Sequence, residues 1–388
     1  MRMRLLGLVT ALVCCLAAPS HAAAPDNVRA DARVILDKIV SIPSSAGLGQ
    51  VPAVAMYLAD RFRATGFPED DIHILPSGET ASLVVRYRGN GKGGKPILVL
   101  AHMDVVTAKP EDWERDPFKL IEENGYFFGR GTQDVKGEIS LITATFLRLK
   151  AEGFVPMRDL IIAFTGDEET QMDTARELAI KYRALTDAEF ALNGDGGGGS
   201  LDSSTGKPQY YKVQGAEKSY ASFTLTAHNP GGHSSQPRPD NAIYELADAL
   251  KALQGYSFPI MWNEWTIGGF KASAPVTPGE LGEAMAKFAA HPGDAGAAAI
   301  LAKTPAMIGR TRTTCVATLL TGGHADNALP QSATATVNCR IFPGTSVAEV
   351  RDSLQQVVGD RIEVQVLGEP HSSPPSPLRD DVLEAVTQ

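Results

Sequence analysis

The 388-residue sequence has no apolar run long enough to cross a bilayer, since its most apolar stretch, Leu5–Leu16, is shorter than the about 20 residues a spanning helix needs. It has no Lys/Arg-rich tract, which argues against nucleic acid or an anionic membrane surface as a partner. It has no internal repeat, no coiled-coil heptad and no long low-complexity tract, so solenoids and fibrous folds are excluded. Cysteine is scarce: four residues, of which Cys14 and Cys15 lie in the first apolar stretch.

That stretch reads as the core of an export signal over residues 1–22. Arg2 and Arg4 precede it, and Ser20-His21-Ala22 or Ala22-Ala23-Ala24 offers the small-residue cleavage site. A retained signal anchor is the alternative. Neither Cys14 nor Cys15 follows the small residue that a lipoprotein signal wants, so a soluble periplasmic or secreted protein is expected, with no membrane association after processing. Removing Arg2 and Arg4 leaves 34 basic against 45 acidic residues, taking the net charge from −9 to −11. The remaining cysteines, Cys315 and Cys339, lie in two β-like runs, Arg312–Leu320 and Ala333–Phe342. A hairpin centred near Asn327 would set them side by side, and an oxidising compartment would permit a disulfide.

Apolar residues at helical spacing predict helices over Asp31–Val40 and Ala53–Thr65. Ser82–Tyr87 and Pro96–Ala101 read as strands. The glycine cluster between them, Gly89 to Gly94, lacks the Gly-Lys-Ser/Thr ending of a phosphate loop and reads as a flexible hairpin loop. A helix over Gly137–Ala151 and a buried strand over Asp159–Phe164 follow. Strands alternating with helices predict a three-layer, mainly parallel α/β domain over residues 27–212. Beyond it, Tyr220–Ala227, Asn241–Leu253, the two cysteine-bearing strands, Ser346–Val358 and Arg361–Leu367 give the order βαββαβ. That order predicts an inserted α+β domain over 213–370, ferredoxin-like in its split βαβ arrangement. An Ala/Gly/Pro-rich insertion, 254–310, carries no legible role. Residues 371–388 read as a proline-rich linker and a helix start.

Four segments carry chemistry, each after a strand-like run: His102-Met103-Asp104, Gly131-Thr132-Gln133-Asp134, Asp167-Glu168-Glu169 and Asp195. In an open α/β sheet, loops at the carboxyl ends of the strands converge on one crevice. One His with several carboxylates suits zinc or a similar divalent ion. Asp104 is placed to orient the His102 ring, and Asp134 has two oxygens with which to bridge two ions. Of the adjacent Glu168 and Glu169, one can bind metal while the other serves as general base. Asp195 adds a carboxylate in a Gly-rich turn.

Leu100-Ala101-His102-Met103-Asp104-Val105-Val106, Trp113 with Pro117-Phe118, Gly129 to Gly137 and Asp167-Glu168-Glu169 together resemble one family. It is the di-zinc family of glutamate carboxypeptidase, aminoacylase and succinyl-diaminopimelate desuccinylase, with carboxypeptidase S as the nearest branch. The resemblance implies that His102 binds one zinc, Asp134 bridges, Glu169 binds the other and Glu168 is the general base. It places Asp195 beside His102 as an acidic ligand, and a cis peptide after Asp134 would fit the family. It makes the inserted domain a lid through which a homodimer forms. His233, in Gly232-His233-Ser234-Ser235, would reach the substrate carbonyl across the dimer. Asn327 and Arg340 match positions near the substrate, where the Arg340 fork suits a carboxylate.

In the family a further His, beyond the lid, completes the site with Asp134 and Glu169. The sequence stops at Gln388, and His371, beside Ser372 and Ser373, is no substitute. The expectation is a fragment of a longer gene or a degraded relative, with a weak second zinc site. The function expected is zinc-dependent, exo-acting cleavage of amide bonds in small peptides or N-acyl amino acids. The alternative is a catalytically impaired homologue that only binds ligand or dimerises.

Overall fold

The computed structural model describes residues 26–196, 198–202 and 204–387. The expected signal peptide, residues 1–22, lies outside them. The chain divides into two units between residues 197 and 198.

The first unit opens with α1 (Asp26–Val40) and α2 (Val51–Ala64). There follow β1 (Ile72–Ser77), β2 (Thr80–Tyr87), β3 (Ile97–His102) and a small hairpin of β4 (Ile121–Glu123) and β5 (Tyr126–Phe128). The unit closes with α3 (Lys136–Ala151), β6 (Leu160–Thr165), α4 (Asp173–Ile180), α5 (Arg183–Thr186) and β7 (Phe190–Asn193). Five strands form one sheet in the order β1-β2-β6-β3-β7. β3 is parallel to both β6 and β7, whereas β2 is antiparallel to β1 and to β6. All strands but β2 therefore point one way, which is the mainly parallel sheet the sequence indicates.

Side chains along β2 and β6 alternate between two cores, as strand geometry requires. Leu83, Val85, Ile162 and Phe164 pack among residues of α1, α2 and α3. Val84, Ile161 and Ala163 pack with Leu178 of α4 and with Tyr182 and Leu185. Helices thus cover both faces, and burial on both faces is why these strands read as continuous apolar runs. Leu58 and Phe62 of α2 are fully buried, each contributing about 1.5–3 kcal/mol. The parallel register matters for function. His102 stands opposite Thr165, and Leu100 opposite Asn193, so the loops after β3, β6 and β7 leave one edge of the sheet.

One expectation is corrected. β2 and β3 are not a hairpin, because β6 lies between them and pairs with both. The glycine-rich segment instead crosses over to the chain entering β6. Asn90 N donates to Pro156 O at 2.8 Å and Gly93 N to Met157 O at 2.6 Å. A Cβ on Gly89 would come within 2.5 Å of the Arg158 backbone, so glycine there permits close backbone approach.

The second unit begins with a hairpin of β8 (Gly198–Leu201) and β9 (Pro208–Lys212), then β10 (Ser219–His228), β11 (Gly232–His233) and α6 (Ala242–Gly255). Next come α7 (Glu264–Ser273), α8 (Gly279–Ala290), α9 (Ala295–Ala302) and α10 (Pro305–Ile308). The remaining elements are β12 (Thr314–Gly322), β13 (Ala328–Leu329), β14 (Ser332–Ile341), α11 (Val347–Val358), β15 (Ile362–Leu367) and α12 (Asp380–Thr387). The sheet order β12-β14-β10-β15, antiparallel throughout, is the split βαβ arrangement. Residues from α6 and α11 close its core over Phe223, Leu225, Val337 and Ile341. The insertion of unread role is a helical body, α7 to α10, with its own core around Phe270, Met285, Phe288 and Leu301. Cys315 and Cys339 stand directly opposite in the β12–β14 ladder and are joined in a disulfide.

Candidate metal centre

His102, the last residue of β3, is buried to 1 % exposure. Its Nδ1 donates to the backbone carbonyl of Asp104 at 3.0 Å and lies 3.4 Å from Asp104 Oδ1. A carbonyl can only accept, so the neutral ring keeps its proton on Nδ1 and presents a lone pair at Nε2. Nε2 lies 3.1 Å from Asp134 Oδ1, 3.8 Å from Asp195 Oδ2 and 4.0 Å from Glu168 Oε2. His102, Asp134 and Asp195 each offer a ligand atom within 4.8 Å of the others. The Asp134–Val135 peptide that leads into α3 is cis.

Asp104 does more than touch the ring. Its two carboxylate oxygens accept from Glu168 N at 3.1 Å and Glu169 N at 2.9 Å. It thereby ties the loop after β3 to the loop after β6. The acidic triplet divides its labour. Asp167 accepts from Asp173 N, Thr174 N and the Thr174 hydroxyl, so it caps α4. Glu168 and Glu169 are left to face the crevice, both half-buried.

The electrostatics ask for a cation. Burial pushes the Glu168 carboxyl above its ordinary range, with Asp195 and Glu169 adding to the rise against the pull of His102. Burial likewise raises Glu169, assisted by Asp134. For His102, burial opposes protonation, but the hydrogen bond and charge of Asp104, with Asp195 and Glu168, carry its pKa up to about 9. Lys136, the first residue of α3, does not neutralise the group. Its Nζ donates to Ile39 O and Ile42 O, and burial lowers its pKa to about 7. Carboxylates converging on one His Nε2, with no lysine or arginine among them, are what a divalent ion binds as it displaces the second proton of the ring, and the residues present fit one. On the other side of Asp134, Glu169 is close enough to feel its charge. Among the described residues no third His, Cys, Asp or Glu joins that pair in a metal-sized group.

The remaining sequence-derived residues lie in the second unit and separate into two places. His233 in β11 pairs with Ala328 of β13, and Ser234 N donates to Asn327 O at 3.1 Å, so His233 and Asn327 are neighbours. Ser235 N donates to His233 Nδ1 at 3.2 Å, and Ser235 Oγ lies 2.8 Å from the same nitrogen. The neutral ring therefore carries its proton on Nε2 and offers it outward. Arg340 sits at the far end of β14, opposite Tyr220, whose ring it covers at 4.9 Å. From Ser332, where β14 begins, Arg340 is eight residue steps away, roughly 27 Å along a strand.

Sequence reasoning missed Lys218 and Glu138, because no motif marks a lone charged residue that the fold partly buries, and gave Lys136 no role although it lies within the Gly129 to Gly137 motif. Lys218 Nζ lies 3.3 Å from Thr314 Oγ1, and burial together with the Arg340 charge lowers its pKa to about 8. Glu138 Oε2 is buried without a hydrogen-bond partner.

Residues 98–386 match the family described as Peptidase family M20/M25/M40. The chain is 31% identical over 300 residues to the N-fatty-acyl-amino acid synthase/hydrolase PM20D1 of Xenopus tropicalis, covering 76% of this chain and 58% of that protein. It is 30% identical over 291 residues to the probable carboxypeptidase S-like 2 of Dictyostelium discoideum, covering 72% and 54%. The chain thus spans less than two thirds of the length of these relatives. The M20 family metallo-carboxypeptidase Sso-CP2 of Sulfolobus solfataricus shares the fold, with a TM-score of 0.60 over 88% of this chain and 79% of that one at 19% identity. The family match covers well over half of the sequence, and with the gathered His102, Asp134 and Asp195 it shows that the chain belongs to peptidase family M20/M25/M40.

Proposed function

We propose that this chain forms the catalytic and lid portions of a zinc-dependent, exo-acting amidohydrolase acting on small peptides or N-acyl amino acids. The observation that carries the reading is the His102 Nε2 directed at Asp134 and Asp195, with Glu168 beside them. A divalent ion, when bound, supplies Lewis acidity that polarises an amide carbonyl and makes water easier to deprotonate. His102, Asp134 and Asp195 would hold it, with Glu169 and Asp134 serving a second ion. Glu168 takes the proton from the attacking water and returns it to the leaving amine, a task that its burial-raised pKa suits. The Nε2 proton of His233 is a donor for the carbonyl oxygen as charge develops there. Arg340 and Lys218 supply two cations for the free carboxylate of the substrate.

The separation of His233 and Asn327 from Arg340 along β14 supports a homodimer. Groups that far apart on one lid cannot all meet one small substrate, whereas two lids in a symmetric pair offer one end of each to each site. The names of the relatives, an N-fatty-acyl-amino acid synthase/hydrolase and a carboxypeptidase S-like protein, support a substrate with an amide bond next to a free carboxylate. Export to the periplasm or the medium agrees with the Cys315–Cys339 bridge.

Metal analysis and an activity panel test this together. About two zinc ions per protomer, with release of amino acid from N-acyl amino acids or dipeptides, supports the hydrolase. One ion or fewer with no turnover favours the ligand-binding alternative, for which the two-carboxylate pair of Asp134 and Glu169 is the specific observation. A pH profile tests the carboxylate subsite. Lys218 is protonated below its pKa of about 8, so attraction for an anionic substrate is present below that pH and fades above it. KM is expected to rise through pH 8 to 9 with kcat little changed. Lys218→Met should flatten that rise, and an unaltered profile in this variant removes Lys218 from the subsite.

A further inference from the structure

Glu138 lies in the first turn of α3, four residues after Asp134. Its Oε2 is buried and has no hydrogen-bond partner, and the charges acting on it are the carboxylates of Asp195 and Asp134. Its place is set by packing. A Cβ on Gly194 would stand 3.2 Å from Glu138 Cβ and 3.4 Å from its Cγ. The glycine before Asp195 is therefore what lets that turn lie against the Glu138 side chain. A buried carboxyl oxygen without a donor, facing two like charges, is unfavourable in the ion-free protein. A divalent cation at His102, Asp134 and Asp195 removes the conflict.

We propose that Glu138 is an outer acidic group of the metal centre, a part-buried negative charge that raises the centre's affinity for a divalent cation without joining the ligand atoms that meet at the ion. This rests on the metal-centre reading above and extends it. Coulomb attraction falls only as the inverse of distance, and a partly buried charge escapes most of the screening that weakens surface pairs. The charge, not the shape, is what acts. Gln keeps the size of Glu and removes the charge, so the two contributions separate cleanly.

The test uses the whole chain after metal removal with a chelator, titrated with Zn²⁺ in competition with a chromophoric chelator. Glu138→Gln is expected to weaken zinc binding by about tenfold to a hundredfold. The ion-free variant should melt at or above the temperature of the ion-free parent, since a part-buried negative charge facing Asp195 and Asp134 has gone. Glu138→Met, neutral and of similar length, should show the same loss of affinity. Gly194→Ala, which crowds the same side chain, should also weaken binding. Equal affinity of parent, Glu138→Gln and Glu138→Met overturns the proposal while leaving the metal centre intact. A parent chain that binds no divalent ion overturns the metal centre, and the role of Glu138 with it.

Discussion

Glu168→Gln is expected to lower kcat for amide hydrolysis by about 10²–10⁴-fold, with bound metal and KM close to those of the parent. The side chain reaches to 4.0 Å from His102 Nε2 without being one of the ligand atoms that gather there. Its backbone N–H is held by Asp104, so the substitution leaves the loop in place. Gln has the shape of Glu but cannot accept a proton from water, which isolates the transfer step. Steady-state kinetics on an N-acyl amino acid, beside metal analysis of both proteins, reads the two quantities apart. A variant retaining more than a tenth of the activity would assign the base elsewhere, with Glu169 the next residue to replace. Loss of metal in parallel with activity would instead make Glu168 a ligand.

Asp104→Ala should produce the largest combined loss of stability and metal. The residue is 3 % exposed, and its carboxylate is the acceptor for the N–H groups of both Glu168 and Glu169. Removing it strands two donors in a part-buried loop at about 1–3 kcal/mol each, a fall in melting temperature of roughly 4–24 °C for a domain of this size. It also removes the carboxylate 3.4 Å from His102 Nδ1 while keeping the backbone carbonyl that Nδ1 donates to, so the loss of metal affinity is expected near the lower end of the about 10- to 100-fold that such partners ordinarily supply. Asp104→Asn, which keeps one acceptor oxygen, should recover part of the stability. Thermal melting of the ion-free proteins and zinc competition measure the two effects independently. If Asp104→Ala melts with the parent, the loop after β6 is held by something other than Asp104.

Much of this molecule is set by short-range pattern. Helical spacing marks α1, α2 and α3, and apolar runs mark β2, β3, β6 and β10, because each pattern records which faces of one element are buried. The βαββαβ order settles the split βαβ sheet, since few topologies join those elements by right-handed crossovers. The ligand types were legible too, because His102 ends β3 and Glu168, Glu169 and Asp195 follow β6 and β7, whose loops emerge at one edge, whereas Asp134 follows the separate β4–β5 hairpin and leads into α3. The facing register of Cys315 and Cys339 was only suggested by their place in two neighbouring runs.

Long-range pairing decided the rest. The insertion of β6 between β2 and β3 turned an apparent hairpin loop into a crossing packed on the Arg158 backbone, and local glycine content cannot distinguish the two. Asp104 looked like a partner for one ring, yet its carboxylate holds the next strand's loop. Asn327 and Arg340 looked alike as substrate contacts until β14 placed them at opposite ends. Glu138 and Lys218 carry no motif at all, and Lys136, inside the Gly129 to Gly137 motif, shows nothing there of its burial. The significance of a charged side chain lies in its burial and its neighbours, and both are properties of how distant segments pack, which no local stretch of sequence contains.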